Sequence, residues 1–215
     1  MQVEHITPSI GSEIHGIALS DPAQVRDHAD ALRRLLAERQ VIFFRDQTLS
    51  PAQQVRVAQV FGKVEPVSST FPSHPDDDHV ELLISQGTRT GTDIWHADLT
   101  WQTRPPAGAC LYAVDVPPTG GDTMWASMTT AFASLAPELQ AYLRKLRATH
   151  NWEAPALRQS LMRRDPSGEA YRATRLKHPP LEQPVVLEHP VTGLPVAFVN
   201  SLYTTHIEGV TSDES

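Results

Sequence analysis

Apolar and polar positions follow several distinct patterns along the chain, and each pattern predicts an element. Asp21-Pro22 supplies an N-cap followed by a first-turn proline. Val25, Ala29, Leu32, Leu35 and Leu36 then recur at helical spacing, which predicts an amphipathic helix ending near Arg39. Ser50-Pro51 repeats the start signal, Val55, Ala58 and Phe61 mark a buried face, and Gly62 is a natural stop. A further helix is expected from Pro137, with Leu139, Leu143 and Leu146 on one face. Short apolar runs predict strands at 41–44, 80–85, 109–116 and 123–126, and glycine-broken strands are expected within 6–17. Two more are expected at 185–187 and 196–199, joined by a hairpin turn at Pro190-Val191-Thr192-Gly193. Residues 65–78 lack periodicity and read as a loop, Pro117 to Asp122 reads as a turn, and 151–177, polar with five arginines, reads as a mobile segment. No internal repeat or linker is visible. Short strands, tight turns and a few helices predict one α+β domain over residues 1–215, with a barrel or jelly roll at its centre.

Composition narrows the function classes. A net charge of −7 argues against a nucleic-acid partner, because no basic field would attract the phosphate backbone. The single cysteine excludes a disulfide within the chain, and its apolar neighbours from Ala109 to Val114 predict a small core residue. The N-terminus has neither a basic nor an apolar leader region, and no run approaches the length of a membrane span. The expectation is a cytoplasmic protein with no membrane partner.

The candidate chemistry lies in His-x-Asp triplets. With 10 His and 13 Asp, chance gives roughly 0.6 of them, and the chain contains three. His28 and Asp30 fall within a predicted helix, where residues two apart point to opposite sides. His74 and Asp76 fall in the acidic loop. His96 and Asp98 sit in or beside an expected strand, where residues two apart face the same way and can aim at one ion. A His and a carboxylate joined by a second His form the facial set of non-haem iron(II) oxygenases, which leaves positions open for a bidentate co-substrate and dioxygen. A buried His hydrogen-bonded to Asp remains the structural alternative.

The surroundings of that triplet carry a resemblance. Ile94-Trp95-His96-Ala97-Asp98-Leu99-Thr100-Trp101, Pro105-Pro106-Ala107-Gly108-Ala109 and Pro117-Pro118-Thr119-Gly120-Gly121-Asp122-Thr123-Met124-Trp125-Ala126 resemble the central signature of the taurine dioxygenase (TauD/TfdA) family. Val41 to Gln47, Phe61-Gly62, His189 to Gly193, Phe198-Val199-Asn200 and Thr205 to Gly209 match further motifs in order. The resemblance implies a double-stranded β-helix, or jelly roll, with flanking helices. It implies an Fe(II)- and 2-oxoglutarate-dependent dioxygenase that uses O2, hydroxylates a small organic molecule and releases succinate and CO2. His96 and Asp98 would be catalytic as iron ligands, Gly120-Gly121 would form the turn that places Thr123, and Thr123 would bind 2-oxoglutarate.

The family's third ligand, a His, and its 2-oxoglutarate-binding Arg lie beyond the Thr205 to Gly209 match. A chain ending at Ser215 is therefore expected to lack the C-terminal part of the jelly roll. His206 falls at a position that does not match the third ligand. Taurine-specific members carry His and Tyr where this chain has Val67 and Thr70, which argues for a less polar substrate such as an alkyl sulfate ester or a sulfonate-like molecule. Trp101 and Tyr203 are candidate pocket residues. Homo-oligomers are common in the family. Two readings from other classes stay open: a catalytically inactive jelly-roll binding domain, and a zinc-dependent hydrolase built on His96 and Asp98.

Overall fold

A computed structural model describes residues 1–66, 72–84, 94–153, 158, 162–163 and 165–215. The chain divides into two compact units. One comprises Met1–Leu82, Ala107–Ala131 and Pro190–Thr192, the other Leu83–Pro106, Phe132–His189 and Gly193–Ser215.

The first unit is built on α1 (Pro22–Arg39) and α2 (Pro51–Ala58), both at the positions that the cap signals predict. Asp21 caps α1 by accepting from the Ala23 N–H. Ser50 and Gln53 form a reciprocal capping box at α2, which satisfies two otherwise orphaned donors. Strands β1 (Gln2–His5) and β2 (Ser12–His15) pair antiparallel, and β2 pairs parallel with β3 (Ile42–Phe43). The parallel pair needs a crossover, and α1 supplies it. Ile14, Ile17, Leu19, Val25, Leu32, Val57 and Val60 form the buried cluster between these elements. The Gln47 side chain fastens the β2–α1 connection, accepting from Leu19 N–H and donating to the Ile17 carbonyl.

Five expectations change here. The loop expected over 65–78 holds a hairpin, β4 (Ser73–His74) with β5 (Asp77–Glu81), so β5 starts before the strand expected from Val80, and Leu82 to Ile84 lie outside it. The predicted strands 109–116 and 123–126 are irregular. Their bonds go elsewhere: the Cys110 carbonyl accepts from the Gln54 side chain, and the Tyr112 hydroxyl bonds to the Gln47 carbonyl and Leu49 N–H. Apolar runs mark extended chain, but a strand also needs a neighbour's ladder. Cys110 is exposed and is not a core residue. Gly120 and Gly121 both adopt positive φ, 80° and 74°, which a side chain would resist.

The second unit contains the antiparallel sheet β10-β6-β7, formed by β6 (Arg147–His150), β7 (Leu181–Pro184) and β10 (Thr204–Ile207). The hairpin of β8 (Val186–Glu188) and β9 (Pro195–Ala197) forms around the predicted turn. Helices α4 (Pro137–Leu143) and α5 (Glu169–Lys177) belong to this unit. α4 starts at Pro137; of the predicted apolar face, Leu139 is exposed while Leu143 and Leu146 are half-buried. α5 lies within the stretch read as mobile, with Glu169 in its first turn and Arg175 and Lys177 in its last. Those charges suit the helix dipole. The division between the units falls inside α3 (Met128–Ala133), whose Phe132 is fully buried beneath the Arg144 guanidinium. Among the described residues no helix is long and apolar enough to cross a membrane.

Candidate metal site

His96 and Asp98 lie in the second unit, in a bend-and-turn segment that is not the strand the sequence suggests. The two side chains still face each other, with His96 Nε2 3.5 Å from Asp98 Oδ1. The turn brings this about. Leu99, between Asp98 and Thr100, has φ of 55°, in the left-handed region where a Leu side chain is strained. The Leu99 carbonyl accepts from Gln102 N–H, which closes the turn.

The geometry fits a chelated cation. His96 Nδ1 lies 2.7 Å from the Ile94 carbonyl oxygen. A carbonyl can only accept, so Nδ1 carries a proton, and in the neutral tautomer that metal binding requires Nε2 is the nitrogen with the lone pair. This is the orientation that a second partner commonly imposes on a metal-binding imidazole. Ligand bonds of about 2.0–2.2 Å for His nitrogen and carboxylate oxygen let two donors 3.5 Å apart share one ion. The Asp98 side chain is largely exposed and the His96 side chain partly so, which leaves one side open to further ligands.

The other triplets do not offer such a pair. His28 Nδ1 bonds to the Gln24 carbonyl and Asp30 pairs with Arg33. His74 Nδ1 accepts from the Asp76 backbone N–H, so that lone pair is in use. The His206 ring is taken up by Glu208 at 2.7 Å.

Tyr203 is buried, and its phenol is pushed up to about 12 by that burial, with the Asp98 charge adding to it. It is therefore a neutral hydroxyl near the carboxylate. Trp101 packs edge-on against His178 at 4.7 Å, and its Nε1 is buried without a hydrogen-bond partner among the described residues. Thr123 is exposed in the first unit. Val67 and Thr70 lie outside the described residues.

Sequence reasoning missed one cluster. On the β4–β5 hairpin, ligand atoms of Asp77, Asp78 and His79 lie within 4.8 Å of one another. The His79 backbone N–H holds the Asp77 carboxyl below its usual range, against the desolvation that raises it. The signal was present as three consecutive aspartates before a histidine. Acidic groups near the surface are common without an ion, and among the described residues no outside carbonyl orients the His79 imidazole as Ile94 orients His96.

Comparison with known proteins finds similar chains. An alkylsulfatase from Acinetobacter baylyi is 34% identical over 203 residues, covering 90% of this chain and 61% of that protein. An alpha-ketoglutarate-dependent sulfate ester dioxygenase from Pseudomonas putida is 32% identical, covering 90% of this chain and 64% of that protein. The chain thus spans less than two thirds of the length of each of these two relatives. The crystal structure of a taurine dioxygenase from Burkholderia xenovorans aligns with a TM-score of 0.72 at 30% identity, covering 100% of this chain and 68% of that one. The fold is the α+β jelly-roll type of such structures, although no closed barrel forms among the described residues. The model of the family described as "Taurine catabolism dioxygenase TauD, TfdA family" matches residues 2–215, and the chain belongs to that family.

Proposed function

We propose that the chain acts in an Fe(II)- and 2-oxoglutarate-dependent dioxygenase that hydroxylates a small organic molecule bearing a sulfate ester or sulfonate-like group. The observation that carries this reading is the His96–Asp98 pair, with the imidazole fixed by the Ile94 carbonyl so that Nε2 faces the carboxylate. Bound iron(II) would supply the activation of dioxygen that is coupled to decarboxylation of 2-oxoglutarate to succinate and CO2.

The protein's part is binding and placement. His96 contributes a neutral nitrogen and Asp98 an anionic oxygen, so the pair offsets one unit of the cation's charge. Thr123 would donate its hydroxyl proton to a carboxylate of 2-oxoglutarate. Trp101 and Tyr203 would border the substrate as an apolar surface with polar edges. Val67 and Thr70 stand where taurine-specific members carry His and Tyr, which favours a less polar substrate than taurine. The names of the Acinetobacter and Pseudomonas relatives support sulfate esters as the first class to test.

The test is succinate formation in the full chain with Fe(II), 2-oxoglutarate and a panel of alkyl sulfates and sulfonates. Substrate-dependent succinate from an alkyl sulfate, with little from taurine, is the expected result. Activity with zinc and without dioxygen would instead favour a hydrolase. No turnover with any member of the panel, despite bound iron, would favour a binding domain.

A further inference from the structure

We propose that Thr100 is the positioning residue of the metal motif, and that His150 and Asn200 hold its hydroxyl so that the strained turn at Leu99 keeps Asp98 opposite His96. The inference rests on the reading of His96 and Asp98 as metal ligands.

Leu99 is the link. A left-handed conformation at a non-glycine residue without a local polar group persists only where the surroundings over-determine it. The restraint lies immediately after it. Thr100 is 1% exposed, and three parts of the second unit converge on it. From β6, His150 Nδ1 lies 2.9 Å from the Thr100 hydroxyl. From the 200–203 loop, Asn200 Nδ2 donates to the same oxygen at 3.1 Å. From β7, Gln183 Nε2 donates to the carbonyls of Thr100 and Gln102.

The proton positions follow from the partners. Asn200 Oδ1 accepts from Leu202 N–H and Tyr203 N–H, so the amide can present only its NH2 to Thr100. The Thr100 oxygen is therefore an acceptor toward Asn200, and its own proton is available to His150 Nδ1. A neutral His150 accepting there carries its proton on Nε2. That nitrogen is buried and makes no full hydrogen bond among the described residues, although the Phe198 backbone partly favours a proton on the ring, which stacks on Phe198 at 5.6 Å. A poorly matched nitrogen in a buried ring offsets part of what the ring adds to stability. What the ring does provide is the bond to Thr100.

Only Leu99 separates Thr100 from Asp98. Releasing the hydroxyl lets the turn relax toward ordinary backbone, and the Asp98 carboxylate swings away from Nε2. His96 is held separately by Ile94, so it stays in place.

The test uses the full chain and Co(II) alone, titrated under anaerobic conditions and read by its visible absorption, with melting temperature measured in parallel. Thr100→Val keeps the shape and removes the hydroxyl. It should weaken Co(II) binding by about 10- to 100-fold, the range typical for partners of metal ligands. Thr100→Ser keeps the hydroxyl and should stay within about threefold of wild type on the same scale. His150→Leu removes both the bond to Thr100 and the poorly matched nitrogen. It should bind Co(II) more weakly at an unchanged or higher melting temperature, a combination that a merely structural role does not produce. It also carries the test if Thr100→Val fails to fold. Wild-type affinity and spectrum in both Thr100→Val and His150→Leu would overturn the proposal, as would Thr100→Ser binding as weakly as Thr100→Val. Wild-type protein that takes up no Co(II), or whose uptake is unchanged by His96→Ala, would defeat the metal reading itself, and this inference with it.

Discussion

The Ile94 carbonyl oxygen lies 2.7 Å from His96 Nδ1, and this contact turns the other ring nitrogen toward Asp98. The acceptor is backbone, so no side-chain substitution at 94 removes it directly. Ile94→Ala should therefore leave metal affinity within about threefold of wild type, because the second-partner effect, 10–100-fold when lost, is retained. Calorimetric titration with Mn(II) checks this, and a loss of tenfold or more would show that the Ile94 side chain matters to the site.

The turn at Leu99 reverses a usual preference. In a helix or strand, glycine is less stable than alanine; at φ of 55° the order should invert. Leu99→Gly is expected to be about 1 kcal/mol more stable than Leu99→Ala, the approximate cost of a Cβ in the left-handed region. Urea midpoints of the two variants measure the difference, and equal midpoints would mean that the turn carries no strain.

His150 makes stability depend on pH in a definite direction. Desolvation lowers its pKa, and the Phe198 backbone opposes this only in part. The folded-state value thus lies below the unfolded value of about 6.5. The unfolded chain takes up the proton first, so this contribution is complete above about pH 6.5 and is lost as the pH falls toward the folded pKa. Between pH 7.5 and 5.5, wild type should lose more melting temperature than His150→Leu. Parallel curves would remove His150 as the cause.

The helical half of the first unit depends on its cap and its core. Ser50→Ala breaks the capping box of α2 and should cost about 1 kcal/mol. Leu32, fully buried in the cluster of α1, should cost about 2–5 kcal/mol as Leu32→Ala. Denaturant unfolding ranks the two, and a Ser50→Ala loss as large as that of Leu32→Ala would contradict the assignment of stability to the core.

Helices α1 and α2 were legible because their signals are local: a cap, a proline and an apolar period within one stretch of chain. The segments 109–116 and 123–126 were not. Their apolar runs announce strands, but pairing depends on a partner far away in sequence, and here Tyr112 and Cys110 bond to Gln47, Leu49 and Gln54 instead. The site shows the same division. The pairing of His96 with Asp98 could be read from the triplet, although the expected cause, strand alternation, gave way to a left-handed Leu99 that no periodicity encodes. Nor could the sequence show that Thr100, His150 and Asn200 meet, because 50 and 100 residues separate the bonded pairs. The Asp77–His79 cluster was visible as a charge run but was read as loop.

Anaerobic Fe(II) titration of the full chain, wild type against His96→Ala and against a Asp77→Asn, Asp78→Asn, His79→Gln triple variant, tests the central claim most directly. Loss of high-affinity Fe(II) binding in His96→Ala, with the triple variant unchanged, is the result expected if His96 and Asp98 hold the metal. Retention in His96→Ala with loss in the triple variant would contradict it and move the metal to the β4–β5 hairpin.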